Sequence, residues 1–413
     1  MIESRESSSE KRTSRRNFLR ASATAVGGAA VGALTLDRVA HAAAGDVIKI
    51  GIIGGGHRGN FIGDRMKKHG GYKIHAVADY FPEVSDKLGE KYGVDKARRF
   101  SGLSGYKKVL ESGVEALAIL DVPCFYHEQA KAAVDAGCHV YIAKPVAVDV
   151  PGTLAIGTAA AEATRKNRCF LVDYQLPLDP ANDEVIGRVR QGGLGPLAHI
   201  LSFGKTNAWA DPPKGPTIES RLQHVIWLSD IALSGDTIVS YDIHIIDGLM
   251  ALLGKRAVSA SGASRICRPE PHGDRVDACG VVFELDDGTL WTHVTQSLNN
   301  NADFSDMSAS VFGLSATAHL GYGGKVYVRG GEKHFVGNVS GSIYNDGAER
   351  NVADFHRNIT EGRFENTTAK RAVDGHLTAI LGREAAARRR YLTMDELLKE
   401  NKRLEVDLAG LKA

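Results

Sequence analysis

The sequence predicts two successive α/β domains, the first on a parallel sheet and the second on a large, mostly antiparallel one. Three observations carry this. A short apolar run at residues 47–53 feeds directly into a glycine-rich loop and a helical stretch. Buried-strand and helix patterns then alternate as far as residue 172. Further on, residues 281–294 form two runs of strand residues around Asp287-Gly288, the pattern of a β-hairpin.

An N-terminal segment is set aside before the fold is read. Ser14-Arg15-Arg16-Asn17-Phe18-Leu19-Arg20 precedes a weakly apolar run rich in Ala and Gly over residues 21–36, and Ala40-His41-Ala42 follows as a small-x-small cleavage signal. The run is too short for a membrane span, which needs about 20 strongly apolar residues. Paired arginines before such a run mark the twin-arginine route. Residues 1–42 are therefore expected to be a cleaved signal, and the protein to reach the periplasm or the exterior already folded.

The segment carries seven Lys/Arg against four Asp/Glu, so its removal changes the net charge from +2 to −1. A near-neutral body gives no electrostatic reason to expect nucleic acid or anionic membrane as a partner. A chain of 413 residues is too long for one core, and two domains are expected, residues 46–170 and 171–413. The five cysteines (Cys124, Cys138, Cys169, Cys267, Cys279) are odd in number and form no C-x-x-C pair, which points to neither a zinc knuckle nor a disulfide scaffold. No residue spacing signals a metal site.

The first strand runs into Gly54-Gly55-Gly56-His57-Arg58-Gly59, a G-x-G-x-x-G between strand and helix. Gly54 permits the tight turn, Gly56 lets a pyrophosphate approach the backbone at the helix N-terminus, and Gly59 lets helix and strand pack closely. A second strand at residues 72–78 ends at Asp79, placed to accept hydrogen bonds from an adenosine ribose. This is a Rossmann fingerprint with NAD as the expected cofactor. His57 and Arg58 lie inside the loop, and Arg58, within reach of a phosphate, leaves NADP open. Further strands at residues 115–120 and 137–142 place Asp121, Pro123, His127, Lys144 and Pro145 at the carboxyl edge of the sheet, where such folds bind ligands.

On these residues the chain resembles the glucose–fructose oxidoreductase / inositol dehydrogenase / rhizopine catabolism (Gfo/Idh/MocA) family, from residue 47 to about 398. The resemblance rests on the 54–59 loop, Pro123 with His127, Lys144-Pro145, Ser234-Gly235-Asp236 leading to Ile243-His244-Ile245-Ile246-Asp247, and residues 378–385. It implies an N-terminal Rossmann domain and a C-terminal domain with a large, mostly antiparallel sheet backed by helices. The open face of that sheet serves substrate or subunit pairing in the family, so a homo-oligomer is expected. Residues 352–360 and 370–389 are expected as helices behind the sheet, and Thr393-Met394-Asp395-Glu396 as a capping box opening a last one.

The resemblance also implies site residues. Lys144 matches the lysine beside the nicotinamide and the reacting hydroxyl, and a buried lysine driven toward neutrality can take a proton from an alcohol. His244 and Asp247 match the family's His-x-x-Asp, with His244 bonding a substrate hydroxyl. Tyr174 and Gln175 are expected at the domain junction. Pro123, His127 and Lys144 join the cofactor set. Two positions depart from the pattern: Ala143 stands where the family carries Glu, and Ser240 where its dehydrogenases carry an acid. Asp242 is a candidate to compensate as a substrate-binding acid. Trp209, Trp227, Tyr241, Trp291 and His293 are candidate stacking faces for a sugar ring.

The function expected is oxidation or reduction of a sugar or polyol hydroxyl with NAD(P). Two alternatives stand beside it: a glycosidase or lyase working through transient oxidation of the sugar, and a carbohydrate-binding relative that has lost catalysis, prompted by Ala143 and Ser240.

Overall fold

The computed structural model describes residues 47–299 and 307–413, so the twin-arginine segment lies outside the described residues. The first sheet has six parallel strands in the order β3-β2-β1-β4-β5-β6. These are β1 (Ile48–Ile53), β2 (Tyr72–Asp79), β3 (Arg99–Ser101), β4 (Ala116–Ile119), β5 (His139–Ile142) and β6 (Phe170–Val172). The order reverses between β1 and β4, which opens a crevice at the carboxyl ends of these strands, as in a Rossmann sheet. Both faces are covered, so β4, β5 and β6 are buried throughout and read as unbroken apolar runs.

Helices α1 (His57–His69), α2 (Pro82–Tyr92), α3 (Gly105–Glu111), α4 (Tyr126–Asp135) and α5 (Val150–Arg165) make the crossovers. Helix α1 begins at Gly56 with neither a capping side chain nor an acid in its first turn, and it ends on Lys67, Lys68, His69 and a left-handed Gly70. Its C-terminus is stabilised by charge, and its N-terminal N–H groups are left for an anion.

The second sheet has nine strands in the order β14-β13-β12-β11-β7-β10-β9-β8-β15. Its members are β7 (Leu197–Thr206), β8 (Ser259–Arg265), β9 (Ala278–Glu284), β10 (Leu290–Ser297), β11 (Met307–Gly313), β12 (Ala316–Gly321), β13 (Lys325–Gly330), β14 (Phe335–Asn338) and β15 (Leu392–Thr393). Every pairing is antiparallel except β7 with β10. The expected hairpin is β9–β10, with Glu284 opposite Leu290 and Gly288 at φ +81° in the turn. Trp291 and His293 point to its packed face.

Helix α6 (Pro180–Arg190) and α7 (Ile243–Leu253) lie against this sheet. Two long helices close the fold, α8 (Ile343–Thr360) and α9 (Thr367–Arg388), followed by α10 (Met394–Glu400), which opens on the Thr393/Glu396 capping box. The expectation that α8 backs the second sheet needs correcting: it packs on α1 of the first domain. Phe355 stacks on Tyr72 and meets Tyr141 edge-on, and the Tyr72 hydroxyl donates to the Val352 carbonyl at 2.6 Å. Helix α9 does reach the second sheet, at β8 and β9, and also packs on α5 and β6. Its first residues satisfy the outer edge of β6: Phe170 N–H donates to Asn366 Oδ1 and Val172 N–H to Thr368 Oγ1. The five cysteines are free thiols. No helix among the described residues is long and apolar enough to cross a membrane.

Candidate active site

The carboxyl edge of the first sheet and the start of α7 enclose a cavity of about 1520 Å³, open to solvent on one side. Pockets for single small ligands run to roughly 300–1,000 Å³, so this one has room for a cofactor and a second molecule. One end is made by residues 54–58, Asp79, Glu83 and Asp121; the other by Ala143, Lys144, Ser240, Tyr241, His244 and Tyr322. Trp209, Trp227 and residues 222–225 cover it from an excursion after β7. That excursion is tied down by Arg221, which pairs with Asp211 (2.7 Å) and Asp230 (2.5 Å), and by Arg268 on Asp211 (2.8 Å).

The glycines at the first end divide the work. Gly54 has φ +93°, and a Cβ there would lie 2.6 Å from the Asp121 nitrogen. A Cβ on Gly59 would overlap the Gly54 carbonyl oxygen, so this glycine serves helix–strand packing and does not line the cavity. A Cβ on Gly56 would meet nothing within 4 Å. Together with the uncapped N-terminus of α1, this leaves a cradle of backbone N–H groups facing open space, the requirement of a pyrophosphate. Asp79 accepts from Gly55 N–H (2.7 Å) and Phe81 N–H (2.9 Å), and each carboxylate oxygen keeps a lone pair for a ribose hydroxyl. Burial raises its pKa against those two bonds. Asp121 is half-buried at the cavity wall, and desolvation there pushes its pKa up to about 7. Gln129 donates to its Oδ2 at 2.6 Å, while Oδ1 has no partner among the described residues. The donor set fits a dinucleotide.

At the other end, the strand β5 delivers Lys144 immediately before a cis Pro145. Its Nζ donates to the Ser240 carbonyl at 2.6 Å. Burial, aided by the Arg58 charge, brings its pKa down to about 7, against the pull of Asp173 and Asp242. His244, in the first turn of α7, has Nδ1 2.7 Å from the Tyr322 hydroxyl. Burial, then Lys144 and Arg58, holds this imidazole well below its usual pKa, so it is neutral. Burial likewise raises the Tyr322 phenol well above its usual range. The Tyr322 hydroxyl has one proton to give, to Nδ1 or to Gln175 Oε1 3.4 Å away; given to Nδ1, it leaves the His244 proton on Nε2.

The remaining expected site residues lie elsewhere. Asp242 is sealed beneath the second sheet, where its carboxylate accepts from Thr295 and from His293 Nε2 (2.9 Å), and a side chain on Gly204 would displace it. His293 is held in turn by Ser202 (2.7 Å), which also takes Trp291 Nε1 (2.6 Å). Asp247, one turn after His244, points to α9 and accepts from Arg371 at 2.5 Å. Neither acid lines the cavity, and Asp242 does not replace the acids missing at Ala143 and Ser240. Tyr174 Oη lies 3.4 Å from His376 Nδ1, away from the cavity. Gln175 stands one bond back, donating to Asp173 Oδ1 (2.9 Å), with Oε1 3.4 Å from the Tyr322 hydroxyl. Pro123 and His127 do not line the cavity, and His127 meets Arg403 at 3.1 Å. Arg58 lines it but turns from Asp79 toward Asp173, with which it pairs. Its position does not serve an adenosine 2′-phosphate.

Sequence reasoning missed Tyr322, Asp173 and Tyr344. Tyr322 follows the last residue of β12, and only the register of the second sheet brings it to His244, 78 residues away.

Residues 48–174 match the model of the family described as the oxidoreductase family, NAD-binding Rossmann fold (GFO_IDH_MocA). They form an NAD-binding Rossmann domain. Among solved structures, the chain is similar to an inositol dehydrogenase homolog complexed with NAD⁺ from Azotobacter vinelandii (TM-score 0.70, 14% identity, 84% of this chain and 98% of that one). It is also similar to an aldose-aldose oxidoreductase from Caulobacter crescentus complexed with glycerol (TM-score 0.66, 18% identity, 84% and 99%). At these identities the likeness speaks for the fold. Among curated relatives, "Glycosyl hydrolase family 109 protein 2" of Shewanella sp. (strain ANA-3) is 29% identical over 161 residues, 37% of this chain. The match spans 34% of that relative's own length.

Proposed function

We propose that the protein is an NAD-dependent oxidoreductase acting on a CH–OH group of a carbohydrate. The observation that carries this reading is Lys144: a half-buried amine, held near neutrality, sharing one cavity with the cradle at Gly56 and the neutral His244. Residues 54–58 and Asp79 would hold the cofactor, which supplies the hydride acceptor when bound.

In oxidation the substrate C–H bond gives up hydride while the hydroxyl proton passes to Lys144 Nζ, leaving a carbonyl. The Ser240 carbonyl fixes the amine in place. His244, its tautomer set by Tyr322, donates Nε2–H to the substrate oxygen and orients it. Trp209 and Trp227 exclude water from above. Reduction runs the same path in reverse, from the protonated amine.

A second reading, glycoside cleavage through transient oxidation at the same site, is favoured by the glycosyl hydrolase family 109 relatives. One experiment separates the two: the protein is incubated with NAD and a panel of sugars, polyols and aryl glycosides, and both reduced nicotinamide and released aglycone are measured. Reduced nicotinamide in bulk supports net oxidation. Aglycone without it supports the redox-neutral route, and neither product from any member contradicts both.

We further propose that the protein is exported folded by the twin-arginine route, on the strength of Arg15-Arg16 and Ala40-His41-Ala42. Exchange of both arginines for lysine should leave the uncleaved chain in the cytoplasm, and unchanged size and location would contradict this.

A further inference from the structure

Helix α9 carries the run 378–385 on which part of the family resemblance rests, yet no residue of this helix lines the cavity. Two of its side chains instead hold the stretch of backbone that follows Lys144. Pro145 has no N–H, so the first backbone donor after Lys144 is that of Val146. It donates to Nε2 of His376 at 2.9 Å. The other ring nitrogen, Nδ1, lies 2.7 Å from the Ala372 carbonyl, one turn back on α9. A carbonyl only accepts and a backbone N–H only donates, so His376 carries its proton on Nδ1 and a lone pair on Nε2. The imidazole is fully buried. That burial, against the Ala372 bond and aided by the Lys144 charge, brings its pKa down to about 4, so it is neutral over the range in which Lys144 titrates.

Arg383, two turns further along the same face, holds the far end of that stretch. Its Nη1 donates to the Val148 carbonyl (2.7 Å) and to the Gly235 carbonyl (3.1 Å). Gly235 leads into the helical turn Thr237–Ser240, and the Ser240 carbonyl is the acceptor of Lys144 Nζ. One guanidinium thus joins the two pieces of chain between which the amine is held, and His376 fixes the backbone nearest to it. Burying an imidazole costs free energy that a leucine would not, and its two bonds offset that cost. What the imidazole supplies, and a leucine does not, is an acceptor for the Val146 N–H.

We propose that His376 is a positioning residue for the reaction: it holds the Val146 amide and thereby keeps the Lys144 amine against the Ser240 carbonyl. This rests on the oxidoreductase reading, in which Lys144 takes the proton, and adds the group that fixes that lysine. The charged and titratable groups about the amine are Arg58 from α1, Asp173 past β6, Asp242 and His244 at the start of α7, and His376 from α9. Because His376 is neutral, exchanging it for another neutral side chain leaves the charges around Lys144 as they were. A change in the titration of the lysine then reports a change in where the amine sits. Arg383 keeps its own bonds in such a variant, so the stretch is loosened and not released.

The lysine is titrated directly by competitive acetylation. The full chain is exposed to trace acetic anhydride over a range of pH, and the extent of reaction at Lys144 is read by peptide mass analysis. Only the neutral amine reacts, and the parent midpoint should lie near 7. His376→Leu keeps the packing and loses the acceptor, and it should raise the midpoint by about one pH unit or more, toward the ordinary lysine value of about 10. His376→Gln, whose amide oxygen reaches the place of Nε2, should restore the parent midpoint. His376→Asn, whose amide stops short of Val146, should behave as the leucine variant does and replaces it where leucine costs too much stability. A parent midpoint retained in all three variants would overturn the proposal. So would an equal rise in all three, which would leave the histidine a packing role only. A parent midpoint already near the ordinary value would overturn the proposal together with the role given to Lys144. The expected pattern of midpoints with no nicotinamide reduced by any sugar would uphold the positioning and defeat the oxidoreductase reading. Reduced nicotinamide with a midpoint indifferent to all three substitutions would do the reverse.

Discussion

At the cofactor end of the cavity, residues 54–59 and Asp79 come from one strand–helix–strand unit, and their parts follow from backbone geometry. At the reacting end, Lys144 comes from the edge of β5, His244 from α7 and Tyr322 from beyond β12. The first end is set by where a Cβ can and cannot go. The second is set by which buried groups stay neutral beside one another. Local geometry is written in a contiguous stretch of sequence, whereas mutual electrostatics requires the assembled fold.

The largest expected effect sits at the reacting end. Lys144→Ala should lower turnover by roughly 10²–10⁴-fold, the usual scale of a lost general base, while NAD affinity measured by fluorescence titration stays near the parent value. Parental turnover would remove the lysine from the mechanism.

At the cofactor end, two substitutions in one loop should part company. Gly56→Val places a side chain in the open cradle, so NAD affinity should fall by about 100-fold or more, with the melting temperature nearly unchanged. Gly59→Ala forces a Cβ into the Gly54 carbonyl, so the chief result should be a loss of stability of about 1–3 kcal/mol in a thermal melt. If Gly56→Val unfolds the protein and Gly59→Ala does not, the division of labour drawn here is reversed.

The pH dependence sharpens the electrostatic side. On the proposed mechanism, oxidation needs the neutral amine of Lys144, whose pKa burial brings down to about 7. Below that value kcat/KM for oxidation should drop about ten-fold per pH unit, and above it level off; reduction, which needs the protonated amine, should fall as pH rises. The smallest effect is expected at Tyr322→Phe. The fold has no need of that hydroxyl, but the His244 tautomer loses its anchor, and a loss of about 3–10-fold in kcat follows from one hydrogen bond.

The same contrast explains what the sequence made legible. The Rossmann end was readable because strand, glycine loop, helix and acid recur at short, fixed distances. Lys-Pro and His-x-x-Asp pointed to Lys144 and His244, which the fold brings to one cavity. Asp247 shares that second motif but serves Arg371, because one helical turn further along α7 faces α9 and not the cavity. Asp242 looked available as an acid, but the register of β7 and β10 brings Gly204, His293 and Thr295 around it. Nothing local in the chain marks Tyr322 or Asp173, whose partners lie 78 and 115 residues away.

The central claim is that hydride passes from a carbohydrate carbon to nicotinamide in this cavity. It is tested most directly with sugars carrying deuterium at the ring carbons, incubated with the NAD-loaded protein under single-turnover conditions, with the nicotinamide then recovered for mass analysis. Deuterium on the recovered nicotinamide from the parent protein, and none from Lys144→Ala over the same interval, is the predicted result. Sugar bound or cleaved with no deuterium ever reaching the nicotinamide would contradict it.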